Sequence, residues 1–457
     1  LHVRSRRQRQ MCIRDRKSIF SYTRMIAFGF LAVILMGTLL LSLPIAARSG
    51  DRTPLIDCFF TATSATCVTG LTVLDTYMHW SSFGHVIILG LIQIGGLGFM
   101  TIITMFSIFT RKHISLYERR LLMQSAGTIR LSGIITMIKR VVIGTFCVEG
   151  IGAVFLSLRF CPKLGFAKGL WYAVFHSVSA FCNAGFDLMG RFNEVSLTGY
   201  YNDPLVCITL MVLIVIGGLG FLVWSDVIKC RFVFKKMELH SKLVLTVTAL
   251  LVFGGAAVLF MTEKNGAFKG MTTGEQVLSA FFQSITLRTA GFFTFDQSKL
   301  SNSGYILSTL LMFIGGSPGS TAGGVKTTTM AVAFLNLISV ARNNDDVVIF
   351  KRKINNKVVI QSVAIIGIHI LMASIAIFII CYLEPIGLRE VIYESVSAIS
   401  TVGISMGITS DFNVASKLFI AGLMYSGRIG GMTIVLAIAE NSHKVKLERP
   451  EEKILIG

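Results

Sequence analysis

The segment Cys67-Val68-Thr69-Gly70 is the first of four short tetrads that decide the fold of this chain. Each tetrad ends in glycine and lies between two long apolar stretches, and the four glycines are 106 to 115 residues apart. The other tetrads are Cys182-Asn183-Ala184-Gly185, Arg288-Thr289-Ala290-Gly291 and Ser400-Thr401-Val402-Gly403. Polar backbone repeated evenly through an apolar chain predicts a symmetric pore that one chain builds from four units.

The composition is that of a membrane protein. Of 457 residues, 53% are hydrophobic and only 15% are charged, whereas a soluble protein carries about 25% charged residues. Apolar runs near the length that crosses a bilayer recur along the chain. We therefore predict an all-α integral membrane protein with eight transmembrane helices, at about 24–43, 83–107, 136–158, 204–227, 243–262, 303–338, 358–381 and 414–439.

The net charge of +19 is distributed unevenly. Lysine and arginine concentrate in alternate loops, for example at 111–112, 235–236 and 351–353. This positive-inside bias predicts a multi-pass membrane protein with both termini in the cytoplasm, and it argues against a nucleic-acid partner. Acids assigned to the outer segments, including Asp75, Asp187 and Glu394, weakly favour arriving cations, although ordinary solvated loops are the alternative.

Chemistry other than transport has little support in the sequence. The nine cysteines and eight histidines are scattered, without the spacing of a metal site or a disulfide framework. Nucleophiles and acid–base pairs do not cluster, so an enzyme is not predicted. Residues 1–16 are rich in arginine and lack an apolar stretch, and we interpret them as a non-native or disordered segment, with a basic cytoplasmic tail as the alternative.

Each repeat has one order: a spanning helix, a short amphipathic segment, the tetrad and a second spanning helix. The short segments are predicted at Pro54–Thr66, Ala167–Phe181, Thr273–Leu287 and Leu388–Ile399. Six residues before the glycines stand Ser64, Ser179, Ile285 and Ser397, and ten before stand Phe60, Phe175, Phe281 and Tyr393. We place the repeats at 17–110, 111–230, 231–342 and 343–440, with filter segments 67–71, 182–186, 287–292 and 400–404 and a cytoplasmic tail at 441–457.

The tetrads are predicted to line a shared axis. Non-helical backbone at membrane depth is tolerated only where it is buried in protein or lines water. Glycine at the last position frees φ, so that successive carbonyls can turn toward the axis. Rings of carbonyls replace the hydration shell of a monovalent cation, and the short helices can aim their negative ends at the same ion.

The second helix of each repeat carries a glycine-rich mark, at 95–98, 217–220, 315–319 and 427–431. Close helix packing is the alternative explanation for the first two. The third mark continues as GGSPGSTAGGVK over 315–326, where Pro318 and the glycines must break the helix. It predicts an intramembrane loop made of Gly315, Gly316, Ser317, Pro318, Gly319, Ser320, Thr321, Ala322, Gly323, Gly324, Val325 and Lys326.

Several charged residues fall at membrane depth. Lys326 and Arg428 are predicted either to gate or obstruct the pore, or to pair structurally with carbonyls of the loop. Arg288 lies within a tetrad and is predicted to point away from the ion and brace the filter. Glu149 is either its partner or a helix-packing contact.

These motifs together resemble the Ktr/Trk/HKT superfamily of potassium transporters, and specifically the membrane subunit of bacterial Ktr systems. The resemblance extends from about Arg24 to Ala439 and rests on the tetrads, the 315–326 loop and Arg428, and Thr401-Val402-Gly403 also looks like part of a potassium-channel filter. It implies four helix–pore-loop–helix units with pseudo-fourfold symmetry, K⁺ held by the tetrad carbonyls, and a gate at 315–326 beside Arg428. Glycine at all four filter corners favours potassium over sodium.

The same resemblance implies partners. The family subunit forms a homodimer in which each protomer has its own pore, surrounded by membrane lipid, and it docks on a cytoplasmic RCK-type nucleotide-binding ring. No cofactor is implied in this chain, K⁺ is the transported ion, and Na⁺ stimulates uptake in many Ktr systems. A Trk-type or sodium-permeable transporter is the alternative, and an ion-coupled secondary transporter is a weaker one because it predicts inverted repeats. Cys67 and Cys182 are interpreted as small packing residues, with accessible thiols as the alternative.

Overall fold

Helices make up nearly all the regular structure of the computed structural model, which describes residues 22–98, 101, 134–192, 195–344 and 346–430. The helices in chain order are α1 (Tyr22–Leu41), α2 (Leu55–Cys67), α3 (Thr76–His79), α4 (Ser82–Leu97), α5 (Ile134–Leu164), α6 (Phe166–Phe181), α7 (Pro204–Leu219), α8 (Phe221–Lys229), α9 (Leu239–Glu263), α10 (Thr273–Thr286), α11 (Asn302–Phe313), α12 (Thr327–Ala341), α13 (Asn356–Leu383), α14 (Leu388–Ile399) and α15 (Val414–Ile429). Strands β1 (Val348–Ile349) and β2 (Arg352–Lys353) form one antiparallel hairpin. The predicted segments 1–16 and 441–457 lie outside the described residues.

Each repeat opens with a long apolar helix. These helices, α1, α5, α9 and α13, are long and apolar enough to cross a membrane. Large apolar side chains on their outer faces are exposed, as at Leu39, Val154, Phe253 and Phe378. Such faces suit contact with lipid chains rather than with water.

A short pore helix precedes each tetrad. The four pore helices α2, α6, α10 and α14 contain 13, 16, 14 and 12 residues, so they are too short to span a bilayer. Their bounds differ from the predicted short segments by at most one residue at either end. A capping box of Thr272 and Glu275 begins α10 and satisfies its first backbone amides.

The second helix of every repeat ends, bends or breaks at its glycine-rich mark, whereas the sequence predicted a break in the third repeat alone. The span predicted at 204–227 is not one straight helix, because α7 and α8 meet at a 92° bend at Gly220. Similarly, α4 ends before Gly98 and α15 ends before Gly430, and all three glycines have positive φ. In the third repeat the break is longer and separates α11 from α12.

Close packing also explains three of the marked glycines. A Cβ atom at Gly95, Gly217 or Gly427 would strike a backbone carbonyl in the last turn of the pore helix of the same repeat. The glycines therefore let each second helix lie directly against the end of its pore helix. Each of these three marks therefore contains one glycine that allows close packing and another, three residues later, at which the helix ends or bends.

Candidate ion-conduction site

The four tetrads share one backbone conformation. The second residue and the final glycine of every tetrad have left-handed φ angles. These residues are Val68 (58°), Asn183 (59°), Thr289 (74°), Thr401 (52°), Gly70 (96°), Gly185 (69°), Gly291 (92°) and Gly403 (87°). Holding a non-glycine residue in this region costs about 1–3 kcal/mol of conformational strain, and such strain clusters at functional sites. Left-handed residues at alternate positions turn successive carbonyls to the same side of the chain.

The tetrads close into a ring. A Cβ atom on Gly70 would lie 2.5 Å from the carbonyl oxygen of Ala184 in the second repeat. One on Gly185 would lie 2.7 Å from Ala290 O, and one on Gly291 would lie 2.8 Å from Val402 O. A Cβ on Gly403 would strike Thr69 O and so return to the first repeat. The repeats therefore follow the order one, two, three, four around one axis, with the second opposite the fourth.

Hydroxyl groups of the pore helices fix the tetrads in place. Ser64 Oγ and Ser397 Oγ, six residues before the glycine, accept hydrogen bonds from the amides of Gly70 and Gly403, each at 3.1 Å. In the second repeat Ser179 Oγ donates to the carbonyl of the residue after the glycine, at 2.7 Å. Ile285 cannot do this in the third repeat, and the next residue, Thr286, donates to Phe292 O at 2.5 Å. The serine register seen in the sequence thus has a direct physical role.

Side chains at the first tetrad position are buried, and two of them contact neighbouring helices. Cys67 and Cys182 are fully buried, and Cys182 Sγ lies 3.7 Å from Gln93 Oε1 and 3.8 Å from Glu149 Oε1. Arg288 is buried, and its Nη2 donates to Thr248 Oγ1 of α9 at 3.4 Å.

Glu149 does not pair with Arg288, so that alternative is wrong. Its carboxylate accepts hydrogen bonds from Gln93 Nε2 at 3.2 and 3.3 Å, which ties α5 to α4 behind the second tetrad. A buried carboxylate requires such hydrogen bonding.

The 315–326 loop lies between α11 and α12 and packs against the interrupted helices. The amides of Ser317 and Thr321 donate to Gly218 O and Gly217 O, at 3.0 and 3.3 Å, and Phe221 N at the α7–α8 bend donates to Gly319 O at 2.9 Å. On the other side, Cβ atoms at Gly323 and Gly324 would contact the fourth tetrad, at Thr401 and Ser400. The loop therefore bridges the second and fourth repeats beside the ends of their pore helices.

Arg428, in the fourth repeat, links this loop to the first repeat. Its guanidinium donates through Nη1 to Thr321 O in the loop and through Nη2 to Gly95 O and, at 3.3 Å, to Gly96 O in α4. Lys326 folds back on the loop, with Nζ donating to Ala322 O at 2.7 Å. Both cations therefore hydrogen-bond to backbone carbonyls, which are the kind of partner that charges at membrane depth require.

Sequence reasoning missed polar side chains on the outer half of the pore helices. Glu394, assigned to a solvated outer segment, is instead fully buried within α14. His176 is fully buried within α6. Both stand nine residues before the tetrad glycine, and extending the alignment of the repeats to that register would have singled them out.

Comparison with known families gives this geometry its context. The TrkH family of cation transport proteins matches residues 21–447, which include all four tetrads, the loop and Arg428. The chain belongs to the TrkH family of cation transport proteins.

Relatives of this TrkH-family chain are uptake proteins. It is 41% identical to a potassium/sodium uptake protein, NtpJ, of Enterococcus hirae, over 96% of this chain and 97% of the relative. It is 37% identical to the Ktr system potassium uptake protein B of Vibrio alginolyticus (95% and 94% covered) and 36% identical to that of Bacillus subtilis (96% and 97%). The resemblance to the Ktr-type membrane subunit is confirmed, and the relatives are named as transporters rather than enzymes.

The fold of the TrkH-family chain also matches a solved structure. The crystal structure of the potassium transporter TrkH from Vibrio parahaemolyticus superposes with a TM-score of 0.71 at 18% identity, covering 93% of this chain and 86% of that one. This confirms the all-α membrane fold with helix–pore-loop–helix repeats. The boundaries drawn between the repeats stay predictions.

Proposed function

We propose that this TrkH-family protein takes up K⁺ across the bacterial plasma membrane through its ring of tetrad carbonyls. The observation that carries the proposal is the closed set of contacts in which each filter glycine lies against the carbonyl of the next repeat. Carbonyl oxygens arranged in this way can replace the hydration shell of K⁺. An inside-negative potential supplies about 2.3 kcal/mol per 100 mV for each entering charge, which is enough to drive uptake.

Sodium permeation is the second candidate. One relative, at 41% identity, is named a potassium/sodium uptake protein, so the filter could admit both ions. Glycine at all four corners favours K⁺, and a matched pair of uptake assays with ⁸⁶Rb⁺ and ²²Na⁺ in proteoliposomes separates the two candidates. Faster Na⁺ than Rb⁺ uptake at equal potential would favour the second candidate.

Gly70→Ser tests the filter directly. The added side chain would press on Ala184 O, 2.5 Å from the position of a Cβ atom, and distort one wall of the ring. We expect the preference for K⁺ over Na⁺ to fall by about tenfold, which corresponds to about 1.4 kcal/mol. Unchanged selectivity in a folded Gly70→Ser protein would contradict the assignment of this filter position.

The 315–326 loop is proposed as a gate under the control of a cytoplasmic RCK-type ring. Three basic segments, 111–140, 229–242 and 342–357, are proposed docking surfaces, and residues 111–133 of the first lie outside the described part of the chain. The contact between the other two supports this, because Phe234 and Phe350 meet edge to face at 6.2 Å. Lys235 and Lys236 follow Phe234 in the sequence and Lys351 and Arg352 follow Phe350, and the positive-inside rule assigns this region to the cytoplasm along with both termini. The naming of two relatives as components of Ktr systems supports a partner.

Growth rescue tests the whole proposal, including the homodimer and stimulation by Na⁺. The full chain is expressed in a bacterium that lacks potassium uptake, with and without a regulatory subunit and with and without added Na⁺. We expect growth at low K⁺ that improves with the partner and with Na⁺, and cross-linked dimers in the membrane. Absence of rescue under every condition, with the protein found in the membrane, would refute K⁺ uptake.

A further inference from the structure

Side chains of three pore helices hold the chain just after it leaves the filter. In the second repeat, His176 Nδ1 donates to Tyr172 O at 2.8 Å, which leaves Nε2 free to accept from Leu188 N at 3.3 Å. In the fourth repeat, Thr409 Oγ1 donates to Glu394 Oε1 and lies 3.0 Å from Ser405 Oγ. We call these contacts, and the equivalent one made by Gln283 and Gln297 in the third repeat, the exit clamps.

The third exit clamp uses two amides. Gln283 Nε2 of α10 donates to Gln297 Oε1 at 2.7 Å, and the hydroxyl of Tyr393 in the neighbouring pore helix α14 donates to the same oxygen at 3.1 Å. Gln297 and Thr409 each follow their filter glycine by six residues, so the third and fourth clamps hold equivalent points. In the first repeat Thr61 stands at the register of His176 and Glu394, and its hydroxyl has no hydrogen-bond partner among the described residues.

The fourth tetrad lies between two fixed points, the end of α14 at Ile399 and the clamp at Thr409. Ser397 of α14 accepts a hydrogen bond from the Gly403 amide, and Glu394 of the same helix accepts one from Thr409. Residues 401–406, which include the left-handed Thr401 and Gly403, belong to no helix or strand. The spacing of the carbonyls therefore depends on where the two ends are fixed.

We infer that Glu394 and Thr409 are positioning residues that set the ion preference of the filter through the fourth exit clamp. Neither touches the ion ring, and each acts by holding the outer end of the segment that carries Thr401, Val402 and Gly403. With the clamp intact, the carbonyl cage keeps the width that suits K⁺; with the clamp broken, the cage can contract around the smaller Na⁺. The inference rests on the proposed uptake function and names residues that control its selectivity.

Thr409 offers the sharper test because its hydroxyl can be removed at nearly constant volume. The full chain is reconstituted in proteoliposomes under a K⁺-independent potential, and Rb⁺ and Na⁺ uptake are measured. We expect Thr409→Val to reduce the preference for Rb⁺ over Na⁺ about tenfold and Thr409→Ser to restore it. Ser410→Ala is the matched control, because Ser410 is exposed and, within the described part of the chain, its hydroxyl hydrogen-bonds only to Asp411.

Glu394 variants complete the cycle. Glu394→Gln keeps an acceptor oxygen and should retain selectivity within about twofold, whereas Glu394→Leu should match Thr409→Val, and the double variant Glu394→Leu/Thr409→Val should be no worse than either single one. Glu394→Leu risks misfolding, so a variant enters the comparison only if its melting temperature and elution volume match those of the wild type. If Glu394→Leu fails this check, the comparison of Thr409→Val with Thr409→Ser still tests the inference by itself.

Two outcomes would overturn the inference: full selectivity in Thr409→Val, or additive losses in the double variant. A wild-type protein that moves neither ion would instead refute the proposed function. The two failures are therefore distinguishable in one experiment.

Discussion

At the residue scale, the glycines of the tetrads serve two needs that no other residue meets together. They adopt left-handed φ angles, and they leave room for the carbonyl of the neighbouring repeat. The second need is specific to the ring, whereas the first is met by glycine in many turns.

Two glycines in the fourth repeat allow the two needs to be tested separately, because both have left-handed φ but only one lies against a neighbouring carbonyl. Gly403 and Gly407 have φ of 87° and 93°, but a Cβ on Gly403 would strike Thr69 O, whereas one on Gly407 meets nothing within 4 Å. We expect Gly403→Ala to abolish K⁺ uptake. Gly407→Ala should cost only about 1 kcal/mol of stability from backbone strain and keep uptake. Uptake and thermal melting measured on both variants check this, and equal effects would show that strain alone matters at Gly403.

At the element scale, the interrupted second helices give the loop its surroundings. The bend at Gly220 and the ends of α4 and α15 expose backbone carbonyls that a continuous helix would have satisfied internally. Arg428 and the loop amides use these carbonyls. The loop is thus held in place by hydrogen bonds to carbonyls at the ends and bends of these helices.

Removing Arg428 should loosen the loop. Arg428→Gln loses the charge that bridges Thr321 O to Gly95 O, whereas Arg428→Lys keeps the charge without the paired geometry. If the loop obstructs the pore, K⁺ uptake without a regulatory subunit should rise several-fold in Arg428→Gln and less in Arg428→Lys. Uptake in proteoliposomes at matched protein content measures this, and a fall in both variants would favour the purely structural interpretation of Arg428.

At the scale of the whole molecule, the proposed uptake path brings in an acid beside the second tetrad. Asp187 follows Gly185 by two residues, in the loop predicted to be outside, and accepts a hydrogen bond from Met189 N at 2.9 Å. Burial, aided by the nearby charge of Asp75, raises the pKa of Asp187 to about 7. Its carboxylate therefore gains negative charge as the pH rises through neutrality.

This titration predicts a pH-dependent affinity for K⁺. Because the ionised form attracts cations, the KM for K⁺ should fall roughly threefold between pH 6 and pH 8 at low ionic strength. Asp187→Asn should hold KM high and nearly constant, whereas Asp51→Asn, at an exposed outer acid, should keep the wild-type slope. Initial rates of Rb⁺ uptake across this pH range provide the measurement, and an unchanged slope in Asp187→Asn would contradict it.

Much of this architecture could be predicted from the sequence because it rests on local chemistry. The pore helices, the tetrads and the 315–326 loop follow from apolar length, glycine and Pro318, all of which act over a few residues. The bend at Gly220 could not be predicted, because the glycines of the 217–220 mark fit a closely packed continuous helix equally well. The partner of Glu149 was out of reach for another reason, since Gln93 lies 56 residues away and only tertiary packing joins them.

The ring of glycine–carbonyl contacts passes through four non-identical tetrads of one polypeptide. In a pore assembled from four identical subunits, every coding change would appear on all sides of the ion at once. Here one substitution alters a single side and leaves three intact. The four sides can therefore diverge in sequence: the third repeat carries the 315–326 loop and the fourth carries Arg428, and both reach across to hydrogen-bond with other repeats.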